Sequence, residues 1–186
     1  MKKLPLILIL LGTFITCPAA TPPDGPRNLV RLGWGDMMFE ALAFHSGSGR
    51  SNFGYTGHIF ADYQYRFTKV VSFGGQVDFQ GIFWTEDEAR SRNYDLTIIP
   101  SVRFTWFDRE HVKLYSGVGA GLLMAFDNGG QFKAAPALNL NFIGVQAGTG
   151  HWGGFFDLGF LSALTNPNAV YLLGARMLSA GVYYSW

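Results

Sequence analysis

The sequence predicts an all-β fold, an eight-stranded antiparallel up-and-down transmembrane β-barrel over residues 28–186. Three observations predict it. Apolar residues recur at every second position through most of the chain, the spacing of one face of a strand. Short and long connections alternate between these segments, so the long ones all emerge on one side. Charged residues are only 15% of the chain, against roughly 25% in an average soluble domain, too few for a fully hydrated surface.

The first 20 residues stand apart. Lys2 and Lys3 precede an apolar run from Leu4 to Ile15, and small residues follow at Ala19 and Ala20. That is the pattern of a cleaved secretory signal peptide, too short to span a bilayer. Acylation at Cys17 is the alternative, but Phe14 and Thr16 fit a lipoprotein signal poorly. Cys17 is the single cysteine, so the mature chain is expected to have neither a disulfide nor a thiol nucleophile. Residues 21–27 then form an N-terminal periplasmic segment, and residues 28–186 the barrel domain.

The strands follow in order. The first, "NLVRLGWGDMMFEALAFH", changes phase near Gly33 and Gly35. Val30, Leu32 and Trp34 share a face before the glycines, and Met37, Phe39, Ala41 and Ala43 after them, a shift that a bulge absorbs. The second, "FGYTGHIFADYQYRF", sets Ile59, Ala61, Tyr63, Tyr65 and Phe67 against Phe60, Asp62, Gln64 and Arg66. The third, "VVSFGGQVDFQGIFW", opposes Phe73, Val77 and Phe79 to Gln76, Asp78 and Gln80. In the fourth, "YDLTIIPSVRFTW", Tyr94, Leu96, Ile98, Val102 and Trp106 face away from Asp95, Thr97 and Arg103. Val112 to Phe126 reads as the fifth strand, with Lys113 and Tyr115 inward. Leu138 to Ala147 is the sixth, with a slip near Ile143 and Gly144. Gly154 to Leu161 and Leu172 to Trp186 complete the set. The short connections lie at Thr68–Lys69, at 107–111 and at 148–152. The long ones are 46–52, 85–93, 127–135 and 162–169, and none of residues 85–93 is expected in the sheet.

A soluble barrel, such as a lipocalin-like binder, would turn the apolar face inward and need a charged exterior. A membrane barrel inverts that code, with apolar residues toward lipid and a closed polar interior. The inward set here is Asp, Gln, Asn, Thr, Ser and Gly with few bases, which suits a narrow, self-bonded lumen. Tyr65, Phe67, Phe73, Trp106, Tyr184 and Trp186 gather on the short-turn side as an interfacial girdle. No run of Lys or Arg suggests nucleic acid. On these features the chain resembles the small outer-membrane β-barrel proteins of Gram-negative bacteria, the OmpA/OmpX-like group, from Asn28 to Trp186. The resemblance implies a protein of the cell outer membrane. It also implies that the closing segment "VYYSW", through Val182, Tyr184 and Trp186, is the signal read by the barrel-assembly machinery, with periplasmic chaperones as escorts. Lipid and lipopolysaccharide are the expected surroundings, and the chain is expected to be a monomer.

One inward constellation concerns function. With a turn centred near residue 49, Glu40 lies across from His58 and Asp36 across from Asp62. Arg66, Arg103 and Lys113 fall in the half nearest the short turns, with Tyr115 opposite Arg103, and Asp78 shares the same face. Such a set could be an ion path or a catalytic cluster. The expectation is instead a plug of ion pairs and hydrogen bonds, because eight strands enclose a space that side chains fill and unpaired buried charges are costly. A lipid-modifying enzyme on this scaffold would need Ser, His and an acid within reach. His45, Ser46 and Ser48 lie near the long-loop rim, but neighbours in a strand point to opposite faces, so no catalytic residue is assigned. His111 and His151 lie in short turns with no second ligand at metal spacing, and no metal or cofactor is expected. Arg176 falls on the lipid face, where it would cost about 2–4 kcal/mol at the midplane. Near the outer interface it could instead reach a lipopolysaccharide phosphate, unless a bulge near Gly174 turns it inward.

Overall fold

Period-two segments can bury only one face each, and a ring of them removes every unpaired edge. The computed structural model describes residues 23, 25–35, 52–86, 89–126, 132–163 and 177–186. It holds eight strands: β1 (Asn28–Gly35), β2 (Asn52–Arg66), β3 (Val71–Glu86), β4 (Ala89–Asp108), β5 (Val112–Phe126), β6 (Phe132–Thr149), β7 (Trp152–Ala163) and β8 (Leu178–Ser185). Each pairs antiparallel with its sequence neighbours, and β8 returns to β1 to close the barrel. The seam is tied at its end. Asn28 and Trp186 exchange backbone hydrogen bonds of 3.0 Å in both directions, and the Arg27 amide also donates to the Trp186 carbonyl at 3.2 Å.

Among the described residues the face assignments hold. Leu32, Ile59, Val77, Ile98, Val118 and Val182 are exposed on the outer wall, whereas Phe60, Asp62, Gln64, Gln76 and Arg103 are buried inside. The slip expected in the sixth strand is a bulge: Phe142 and Ile143 both point outward, opposite the single residue Ser116, whose hydroxyl donates to the Phe142 carbonyl at 2.6 Å. A second bulge turns both Trp106 and Phe107 outward at the end of β4. The short turns are built locally. Thr68 accepts from the amides of Val70 and Val71 with its hydroxyl, and Gly150 takes a positive φ of 65° in the two-residue turn between Thr149 and Trp152, where a Cβ would be strained.

Several expectations need correction. Asp62 pairs with Arg31, not Asp36, and His58 pairs with Gly35, not Glu40. Alternation fixes a strand's face but not its offset along its partner, and the true offset differs from one centred on residue 49. Residues 85–93 are largely sheet, because the β3–β4 ladder runs on to Thr85↔Arg90 and Glu86↔Ala89. Tyr115 pairs with Thr105, and Arg103 with Gly117, although the two side chains still meet. The sixth and seventh strands also run longer at both ends than their alternation suggested, since a closed ladder carries along glycines and alanines that have no side-chain pattern.

Candidate functional site in the barrel interior

The inward residues sort into layers. Nearest the short turns, Arg66 forms an ion pair with Asp108 and donates to the Lys69 carbonyl at 2.8 Å. Lys113 Nζ lies 3.6 Å from the other oxygen of Asp108. Lys113 and Gln146 are cross-strand partners on β5 and β6.

The next layer is an ionic knot. Arg31 donates from Nε to Asp62 Oδ2 at 2.6 Å, and from one terminal nitrogen to the Tyr115 hydroxyl at 2.6 Å and Asp157 Oδ2 at 2.8 Å. Arg103 donates to the same Asp62 oxygen at 2.7 Å, and Gln64 Nε2 satisfies Asp62 Oδ1 at 2.8 Å. The Tyr115 hydroxyl in turn donates to Asp157. Two guanidiniums thus meet two carboxylates, and all four groups are at most 6% exposed at the side chain. Burial on this scale is tolerable only because every charge is paired and the remaining lone pairs are occupied. Aromatic faces complete the packing. The Arg103 guanidinium carbon lies 4.4 Å from the Tyr115 ring centre and that of Arg31 4.5 Å from the Phe155 ring centre, within cation–π range. Gly144 provides the room, since a Cβ there would overlap the Tyr115 ring and Asp157.

Above the knot, Gln76 donates to both oxygens of Asp78 at 2.7 and 2.8 Å and accepts from Asn139 at 3.3 Å. Toward the long loops Ile99, Leu123, Ala125, Ala137 and Leu161 form one buried apolar cluster, beside the buried polar side chains of Gln80, Asp95 and Thr97. This was not expected of a polar lumen. Ile99 follows the outward Ile98 and is wholly buried, so a strand that looks continuously greasy here is filling both its faces.

The structure therefore brings together Asp62, Arg103 and Tyr115 in one knot, places Arg66 and Lys113 at the short-turn mouth, and sets Asp78 in the amide layer. Asp36, Glu40 and Arg176 lie outside the described residues, as do His45, Ser46 and Ser48; of His58 only the strand position is described. Sequence reasoning missed Arg31 and Asp157, the two residues that complete the knot. Their signal was there: Arg31 stands between Val30 and Leu32, and Asp157 between Phe156 and Leu158, so both occupy inward phase. A knot of this kind can hold a shape, and its carboxylates accept from its own guanidiniums, amide and phenol. Among the described residues no three His, Cys, Asp or Glu side chains gather as a metal site. The cavity beside the knot is only about 20 Å³, room for a water and not for a substrate.

No protein-family model and no curated protein matches the chain. Among solved structures, it is similar to the N-terminal β-barrel domain of Pseudomonas aeruginosa OprF, with a TM-score of 0.50 and 12% identity over 88% of this chain and 100% of that one. The two share a fold. At that identity the likeness shows the fold alone, an eight-stranded β-barrel, and leaves the interior residues to be argued from their own geometry.

Proposed function

We propose that the chain is an integral outer-membrane β-barrel protein whose lumen is plugged and whose role is structural, or surface-binding through the long loops. The observation that carries this reading is the outer wall. At the short-turn end Phe67, Phe73, Trp106, Trp152, Tyr184 and Trp186 are all exposed, and Trp152, Tyr184 and Trp186 pack in a row with ring centres 4.7 and 5.7 Å apart. Toward the long loops a second band is formed by the ring pairs Phe79–Tyr94 and Phe126–Phe132. Among the described residues, outward positions between the bands carry no Lys, Arg, Asp or Glu. Tyr94 and Trp106 share β4, about 30 Å apart along the barrel axis at ordinary strand rise and tilt, close to the hydrocarbon thickness of a bilayer. In water such a wall would be an aggregation surface; in lipid it is the expected one.

The test is membrane fractionation followed by electrophoresis of boiled and unboiled samples. The expected result is recovery with the outer membrane and a folded band that migrates differently from its heat-unfolded form. Recovery in the soluble periplasm, or identical migration, overturns the reading.

A further inference from the structure

We infer that the short-turn mouth of the barrel is a binding site for a small anionic group, a carboxylate or a phosphate. The mouth is an open vestibule of about 440 Å³ bounded by Asp108, Lys113, Gln146 and Tyr183. It continues past Lys113, Gln146 and Ser185 into a narrower space of about 50 Å³ that reaches Arg66 and Arg103. Three observations point to an anion. First, one carboxylate serves two cations: Asp108 is paired with Arg66, while Lys113 sits 3.6 Å away, beyond hydrogen-bond distance. An ammonium has three donors, so Lys113 retains capacity for a closer acceptor. Second, Gln146 is 6% exposed, lines both spaces, and its Nε2 has no hydrogen-bond acceptor. Buried donors are nearly always satisfied, and this one stands beside Lys113 as its cross-strand partner. Third, Tyr183 lies flat against the inner wall over Gly148 and Gly153, where a Cβ would strike its ring or hydroxyl. Those two glycines let the Tyr183 side chain lie close to the strand backbone at the vestibule wall.

The charge around the rim points the same way. Arg27, Arg66, Arg109 and Lys113 stand against Asp108 and Glu110, a positive excess that draws anions toward the mouth. The ionic knot deeper in is neutral, Arg31 and Arg103 against Asp62 and Asp157, so the excess is confined to the entrance. A ligand would be held by the Lys113 ammonium and the Gln146 amide, with the remainder of the molecule in the wider vestibule. The site rests on the interior alone and does not depend on what surrounds the outer wall.

The experiment is a titration of the folded full-length protein, isotopically labelled in detergent micelles, followed by the amide side-chain resonances of Gln146. Sodium phosphate and sodium acetate are added separately, each at constant ionic strength against sodium chloride. The expected result is a saturating shift of the Gln146 side-chain pair with at least one of the two. Phosphate alone assigns phosphate-bearing ligands, acetate alone carboxylate-bearing ones, and both the shared anion chemistry. Lys113→Gln should weaken binding about tenfold or more, the worth of one charge-assisted hydrogen bond. Saturation-transfer spectra on the unaltered protein, reading the acetate methyl, give a second measurement should the variant fail to fold. No saturable shift and no transfer with either anion, or the same affinity in a folded Lys113→Gln protein, overturns the inference.

Discussion

Asp62 accepts from Arg31, Arg103 and Gln64 at once, so this one carboxylate holds two buried guanidiniums. Asp62→Ala leaves both cations buried without their shared partner, and breaking a buried pair in this way costs about 3–5 kcal/mol. Urea unfolding in micelles or vesicles, followed by tryptophan fluorescence, should show a loss of that size. A loss below about 1 kcal/mol, the range of an exposed pair, would mean that the knot is hydrated. Gly144→Ala should also destabilise the barrel, because the added methyl meets the Tyr115 ring and Asp157 together and overpacking typically costs about 1–3 kcal/mol. The inward face of Asp62, Arg103 and Tyr115 was legible from alternation. Their partners were not, because a residue's partner depends on strand offset, and the β1–β2 offset that joins Arg31 to Asp62 carries no sequence mark.

At the scale of the element, β8 shows how little separates a vital residue from a tolerant one. Trp186 is outward, half exposed, stacked on Tyr184 and paired through its backbone to Asn28. Ser185 points the other way, toward the vestibule. Trp186→Asp should therefore reduce assembled barrel and leave precursor or degraded chain, while Ser185→Asp should assemble nearly normally. The check is the heat-modifiable fraction in isolated membranes; equal damage from both would refute the face assignment. The β3–β4 hairpin carries a second lesson. Residues 85–93 look like a loop because Thr, Glu, Asp, Arg and Asn crowd there, yet the ladder runs through most of them. Backbone hydrogen bonds extend a strong hairpin beyond the reach of its side-chain pattern, so a Gly-Ser replacement of 85–93 removes the end of the hairpin as well as its tip.

For the whole molecule, the layers predict that the barrel does not conduct. The knot fills the interior with Arg31, Asp62, Arg103, Tyr115 and Asp157, and nearer the long loops Ile99, Leu123 and Leu161 pack beside the buried side chains of Gln80, Asp95 and Thr97. An ion would have to break the first and displace the packed side chains of the second. Planar-bilayer recordings of the folded protein should show no steady current. A reproducible channel whose selectivity changes in Arg103→Ala would overturn the plugged lumen. The architecture itself was the most legible level, since strand number, closure and face all follow from alternation and connection length. The apolar cluster was the least legible, because a residue such as Ile99 carries the same hydrophobic signal whichever face it occupies.

The seam between β1 and β8 joins Asn28 to Trp186 across nearly the whole barrel sequence. Until it forms, the sheet is open, and every charge of the knot has one side facing whatever lies beyond the edge. In a bilayer that exposure costs about 2–4 kcal/mol for each Arg near the midplane, so a seven-strand sheet has no resting place in lipid. If the outer wall faces lipid as proposed, insertion and closure are expected to be one event, with no inserted open intermediate accumulating. Cysteines placed at the seam partners Leu32 and Val182 can time this directly. Their cross-link should appear at the same rate as protection of the chain from protease, with no interval in which the protein is inserted but still unsealed.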